Sequence, residues 1–344
     1  MDNPLRLSIL DQSPIISGHT PAQAVHETIR LARAAEQLGY HRYWLAEHHA
    51  LAALGDPCPE ILVTRVAAET SAIRVGTGGV LLPYYSPFKV AEQFRMLEAL
   101  YPGRIDLGIG RAPGGDRMTA LAMGEGRYPA AEHFPEQVQY VVAYLDDAVP
   151  PEHPFAGVKA MPAGPTAPQV WLLGSSDYSG ALAAQLGLRF AFAHFISSEG
   201  GDVVMGDYKR RYQPSAREPV PRALLCVFVI CAETAREAER LSASIALRRL
   251  NTDRGVNSPV PSHEEARTYP YTEADRRRIA HHQQRVVQGT PETVRGRLLE
   301  LREQYGADEL MVITITGDYE SRLRSYELLA GAFDLCQPHA APVR

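Results

Sequence analysis

Leu5 to Leu10 is a short apolar run that ends in Asp11-Gln12-Ser13-Pro14. Pro21 then opens a stretch in which Val25, Ile29, Leu31, Ala32, Ala35 and Leu38 recur at helical spacing as far as Gly39. Strand, loop, helix and glycine stop follow one another in that order. The pattern repeats with Tyr43 to Ala46 before a helix over Pro59 to Thr70, and with Arg74 to Leu82 before Pro87 to Leu100. Ile105 to Ile109 precedes a helix over Phe134 to Leu145. Successive βα units of this kind predict a parallel sheet with right-handed crossovers.

A Pro- and Gly-rich passage from Ala148 to Pro168 reads as a surface insertion. The rhythm then resumes. Val170 to Leu173, Arg189 to Phe195, Ala223 to Cys231 and Leu310 to Ile315 are strand candidates, with helices over Ser176 to Leu188, Thr234 to Leu250, Pro291 to Tyr305 and Ser321 to Phe333. Eight strand candidates alternating with helices favour an α/β fold of the (β/α)8 TIM-barrel class, with insertions, over a doubly wound sheet. The length of 344 residues suits one such domain spanning 1–344. Asn251 to Gln288 breaks the rhythm: it is polar and carries Arg276-Arg277-Arg278, His281-His282 and Gln283-Gln284. It is expected to be a solvated insertion with a short exposed helix, or a lid over the site.

Composition narrows the function classes. Net charge is -5 with the basic residues scattered, which argues against nucleic acid or an anionic membrane as partner. No window approaches the ~18 apolar residues of a membrane span. The start MDNPLRLSILDQSPI lacks the features of a secretion signal, so a cytoplasmic protein is expected. Cys58, Cys226, Cys231 and Cys336 lie far apart and read as buried thiols.

In a barrel of this class the site lies at the C-terminal ends of the strands. There the sequence places Gln12-Ser13, Glu47-His48-His49, Gly78-Gly79, Gly110-Arg111, Gly174-Ser175-Ser176, His194, Thr314 and Thr316, a polar rim. Adjacent strand residues point to opposite faces, so His48 and His49 make a poor metal pair, and no metal is expected. A structural histidine, or one acting as acid, base or donor beside an organic cofactor, remains. In LLGSSDYSGALAAQLGL, Ser175, Ser176 and Ser179 surround a helix start suited to an anion such as a phosphate, or else simply cap the helix. Arg111 adds countercharge there, or forms a rim salt bridge. Gly78-Gly79 marks a bulge or a place where a flat ligand meets the backbone.

The segments RYWLAEHH, IRVGTGGVLLPYYSPFKVAEQFRMLEALYPGRIDLGIGR, LLGSSDYSGALAAQLGL and GTPETVRGRLLELREQYGADELMVITIT resemble the bacterial luciferase-like monooxygenase family, in the same order and over nearly the whole chain. The resemblance implies a (β/α)8 barrel with FMN as cofactor, used as FMNH2 from a separate NAD(P)H-dependent flavin reductase. O2 would then oxidise a small organic substrate through a flavin C4a-peroxide. It implies a catalytic proton-transfer role for His48 with Glu47 orienting it, a flavin contact for Arg111, and phosphate contacts at Gly174, Ser175, Ser176 and Ser179. It also implies a non-proline cis peptide under the flavin ring at Gly78-Gly79, and a homodimer. Other readings on the same barrel are a deazaflavin-dependent dehydrogenase or reductase, a flavin-binding protein without monooxygenase activity, and a metal-dependent hydrolase.

Overall fold

The computed structural model describes residues 5–111, 113–129 and 131–335. Its elements begin with β1 (Arg6–Asp11), α1 (Pro21–Gln37), β2 (Arg42–Leu45), α2 (Pro59–Ala68), β3 (Arg74–Leu81), α3 (Pro87–Leu100) and β4 (Ile105–Gly110). There follow α4 (Arg117–Met123), α5 (Phe134–Leu145), β5 (Gln169–Gly174), α6 (Asp177–Leu186), β6 (Arg189–Ala193), α7 (Gly201–Arg211) and β7 (Ala223–Cys231). The chain ends through α8 (Ala235–Asp253), α9 (His263–Thr268), α10 (Glu273–Gln283), β8 (Val286–Gly289), α11 (Pro291–Tyr305), β9 (Glu309–Ile313) and α12 (Tyr319–Ala332).

Strands β1 to β7 pair in sequence, and β9 pairs with both β7 and β1, so eight parallel strands close into a barrel. These are the eight strands that the hydrophobic pattern predicts. The short β8 stands outside the ring and bonds to the far half of β7, from Phe228 to Cys231. Every residue of β7 is buried, as expected of a parallel strand covered on both faces. Helix starts follow local chemistry. Thr20 and Gln23 form a reciprocal cap on α1, and proline occupies the first turn of α1, α2, α3 and α11.

Two apolar cores result. One lies between the strands and the surrounding helices, and the other fills the barrel with Leu10, Trp44, Trp171, Leu224, Phe228, Met311 and Ile313. The interior also holds a buried ion cluster. The Arg42 guanidinium donates to Asp106 Oδ2 at 2.5 Å and to Glu309 at 2.6 and 3.0 Å, and it lies 4.9 Å from the centre of the Trp171 ring. Burial works against the Arg42 charge, yet Asp106 and Glu309 outweigh it and hold its pKa above the ordinary value. Removing one member of such a buried pair costs about 3–5 kcal/mol. These polar groups near the starts of β2 and β9 are thus structural, and the opposite end of the barrel is left for chemistry.

Segment 251–288 folds into α9, α10 and β8. Its Tyr269, Tyr271 and Ile279 pack with Leu247 and Leu250 of α8 in a small apolar cluster, which the polar composition had concealed. Helices α4 and α7 were also not legible. The α7 stretch GDVVMGDYKRR has glycines at 201 and 206 and little period, but it is buried through Met205 and Tyr208. Cys226 and Cys231 are buried as expected, whereas Cys58 is exposed because it occupies the cap position before Pro59. Cys336 lies outside the described residues. Among the described residues no helix is long and apolar enough to cross a membrane.

Candidate active site

The ends of β1 to β7 and β9, together with α8, enclose a cavity of about 460 Å³. Leu10, Trp44, Leu224, Phe228, Ile245, Met311 and Ile313 supply its apolar lining. Its polar lining contains Gln12, Glu47, His48, Gly78, Gly79, Gly110, Arg111, Gly174, Ser175, Ser176 and Ser179. Most of the rim predicted from strand ends therefore shares one surface in space. Ser13, His49, His194, Thr314 and Thr316 are not part of it. Thr314 Oγ1 donates to the Val229 carbonyl at 2.7 Å and Thr316 Oγ1 to that of Asp318 at 2.7 Å, so both hydroxyls serve the fold. His194 is buried, with its ring edge-on to Tyr305 at 5.6 Å.

Glu47 and His48 leave β2 in different directions. Glu47 is buried and accepts the Leu81 N–H at 2.9 Å and the Tyr85 hydroxyl at 2.6 Å, while its Oε1 lies 2.7 Å from His49 Nε2. The Glu47 carboxylate thus bonds to His49, Leu81 and Tyr85 and ties the histidine loop to the end of β3. His48 lines the cavity, and its buried Nδ1 meets no partner in hydrogen-bond geometry. Burial, and then the charge of Arg248, push its pKa down to about 4, against the opposing pull of the Ala46 carbonyl. The imidazole is neutral at physiological pH, able to give or take a proton but carrying no standing charge. Among the described residues no group of three or more His, Cys, Asp or Glu side chains could hold a metal ion.

Across the β3 wall, the Gly78-Gly79 peptide is cis, as the resemblance implied, and the pairing of β3 with β4 shifts register there. A Cβ on Gly78 would lie 2.7 Å from Leu10 Cδ1, and one on Gly79 2.6 Å from the Gly108 carbonyl oxygen. The backbone contact demands glycine at 79, whereas at 78 the Leu10 side chain would have to shift, and the wall presents bare backbone to the cavity.

At the β5 end, Ser176 caps α6 by position, but its hydroxyl makes no capping bond. Asp177 Oδ1 accepts the Tyr178 N–H at 2.8 Å. A Cβ on Gly174 would fall 2.3 Å from Ser179 Oγ, so only glycine lets Ser179 approach the strand end. Arg111 stacks over the Tyr178 ring at 4.2 Å and, among the described residues, has no carboxylate within ion-pair distance. Free hydroxyls, helix N–H groups and an uncommitted guanidinium thus meet on one side of the cavity, the donor set that a phosphate needs.

Arg248 and Arg249, which also line the cavity, were not foreseen. They stand three and four positions after Ile245 and share its face of α8, a spacing that the sequence displays in SIALRRL.

Three histidines, His41 and His48 half-buried and His194 buried, carry a pH prediction. Burial first, and then the charges of Arg42, Arg248 and Arg297 respectively, push His41, His48 and His194 down to about 4 from 6.5. Between these values the unfolded chain binds protons that the folded chain refuses. Stability therefore falls as pH drops through that window, by about 1 kcal/mol per histidine at pH 5 after allowance for partial exposure. Asp56, pushed up to about 7 by burial, offsets one of the three. Urea unfolding is expected to show a lower midpoint at pH 5 than at pH 7, and equal midpoints would contradict the assignment.

A luciferase-like monooxygenase family model matches residues 5–309. YceB of Bacillus subtilis (strain 168) is 47% identical over 96% of this chain and 99% of its own. The N-acetyl-S-alkylcysteine monooxygenase of the same organism is 35% identical over 95% of this chain and 98% of its own. The crystal structure of apo-MsnO8 superimposes with a TM-score of 0.89 at 41% identity, covering 96% of this chain and 99% of that one. The FMN complex of the oxygenating constituent of 3,6-diketocamphane monooxygenase from Pseudomonas putida shares the fold at a TM-score of 0.72 and 20% identity, over 96% of this chain and 98% of that one. The cavity, the closed barrel and these matches carry one conclusion: the chain belongs to the family of luciferase-like, flavin-dependent monooxygenases.

Proposed function

We propose that this cavity takes reduced FMN from a separate NAD(P)H-dependent flavin reductase and uses O2 to oxidise a small organic substrate in the cytoplasm. The observation that carries the reading is the division of one cavity into a phosphate-type donor set and an unpartnered neutral histidine, with bare glycine backbone along the wall. The FMN held by the diketocamphane relative supports the cofactor, and the activity named for the alkylcysteine relative supports a small organic substrate.

When bound, the flavin supplies the electrons and the activation of O2. The chain supplies position and protons. Ser175, Ser176, Ser179 and Arg111 hold the phosphate, and Gly78 and Gly79 allow a flat ring to lie against the backbone. His48 gives or takes a proton through its ring nitrogens, and Glu47 keeps the loop that carries it closed against β3. The apolar lining excludes water and stray protons.

The test needs no known substrate. Photoreduced FMN mixed with stoichiometric protein and then with air-saturated buffer is expected to reoxidise with kinetics distinct from free reduced FMN. Kinetics identical to the free flavin would overturn the reading, and tight binding of a reduced deazaflavin in its place would favour the dehydrogenase alternative.

The homodimer is proposed on a separate observation: Ile61, Met96, Leu100 and Met161 are exposed and line one groove between α2 and α3. Sedimentation equilibrium is expected to return twice the chain mass of 37.8 kDa, and Met96→Glu to return the single mass.

A further inference from the structure

The buried arginines of the barrel are all committed. Arg42 and Arg322 pair with carboxylates, and Arg95 pairs with Asp147 and with the Tyr144 and Leu145 carbonyls. Arg249 is held as well: its Nη1 donates to the His282 carbonyl at 3.1 Å and its guanidinium lies 4.8 Å from the Phe228 ring centre. Arg248 differs. Among the described residues its guanidinium has no hydrogen bond and no ion pair, and its Nε is buried without a partner. Burial alone pushes its pKa down to about 10, with no nearby carboxylate to oppose it, so it remains a cation at neutral pH.

Arg248 is half-buried, and a cation with one nitrogen shut off from solvent and no partner is costly to keep. This one faces the cavity, and its charge reaches His48. It projects from the helix after β7, whereas the phosphate-type donors stand at the ends of β4 and β5. The cavity therefore offers a second seat for negative charge, next to the proposed proton-transfer group and bordered by Phe228, Ile245 and Ile313.

We propose that the substrate has an apolar body and one oxyanion head, a carboxylate or a sulfonate, and that Arg248 seats this head beside His48. Arg248 would supply a charge-assisted bond to the head, and the apolar border would receive the body. The inference rests on the flavin reading for its chemistry but not for its binding test.

Ligand-observed NMR titrations with hexanoate, hexane-1-sulfonate and 1-hexanol, on protein with and without FMN, provide that test. At least one anion is expected to bind about tenfold more tightly than the alcohol, and the tighter of the two identifies the head. Arg248→Met should abolish this preference, Arg248→Lys should retain part of it, and the affinity for FMN should stay within about threefold in both. Because Met removes a half-buried charge that has no partner, the thermal midpoint of that variant should not fall; a fall would indicate a structural arginine. Equal binding of anions and alcohol, an unchanged preference in Arg248→Met, or a tenfold loss of FMN affinity with riboflavin unaffected would each overturn the proposal. An anion preference in a protein that binds no flavin would leave the seat standing and remove the flavin reading alone.

Discussion

Replacing His48 with alanine is expected to lower turnover by about 10²- to 10⁴-fold, the range for loss of a positioned proton-transfer group. The affinity for reduced FMN should stay within about threefold, because the phosphate donors at the other side of the cavity are untouched. The buried Nδ1 has no partner, and the ring pKa is low, so the imidazole is free to exchange a proton. Oxygen consumption coupled to a flavin reductase measures the first effect, and fluorescence titration of flavin the second. With a His48 pKa of about 4, the rate of the native protein should show no inflection from this residue between pH 6 and 8. Equal turnover in the variant would remove His48 from the mechanism, and a matching loss of flavin affinity would make it a binding residue.

Replacing Arg111 with methionine is expected to weaken FMN binding by about 10- to 100-fold, the size of one charge-assisted hydrogen bond of about 1.5–3 kcal/mol. Methionine keeps much of the packing over Tyr178 and removes only the charge. Riboflavin, which has no phosphate, should bind the variant and the native protein equally. That contrast separates loss of a phosphate contact from damage to the ring site. Equal losses for FMN and riboflavin would place the phosphate elsewhere.

Much of this was legible in the chain. A barrel strand is apolar until it reaches the rim and polar beyond it, so the strand ends announced Glu47, His48, Gly110, Arg111 and Gly174 in order. Which side chain turned inward was not legible. Glu47 and His48 both border the cavity, yet the β3 end, with Leu81 and Tyr85, engages the Glu47 carboxylate and leaves His48 Nδ1 without a partner. The glycine pair could be located from the sequence, but the reason for it, the closeness of the Gly108 carbonyl and of Leu10, is a long-range fact. Arg248 was hidden for another reason. It lies on α8 and not at a strand end, and a cation on a helix ordinarily reads as solvated surface. Helices α9 and α10 were hidden by polarity, since their stability comes from capping boxes at Ser262 and Thr272 and from one small cluster against α8.

A cavity that seats reduced FMN with its phosphate among Ser175, Ser176, Ser179 and Arg111, as proposed, must discriminate by that phosphate. Anaerobic titration of the native protein with photoreduced FMN and, separately, photoreduced riboflavin tests it most directly. Saturable binding of reduced FMN, at least tenfold tighter than that of reduced riboflavin, is expected. Equal affinity for the two, or no binding of reduced FMN, would contradict it.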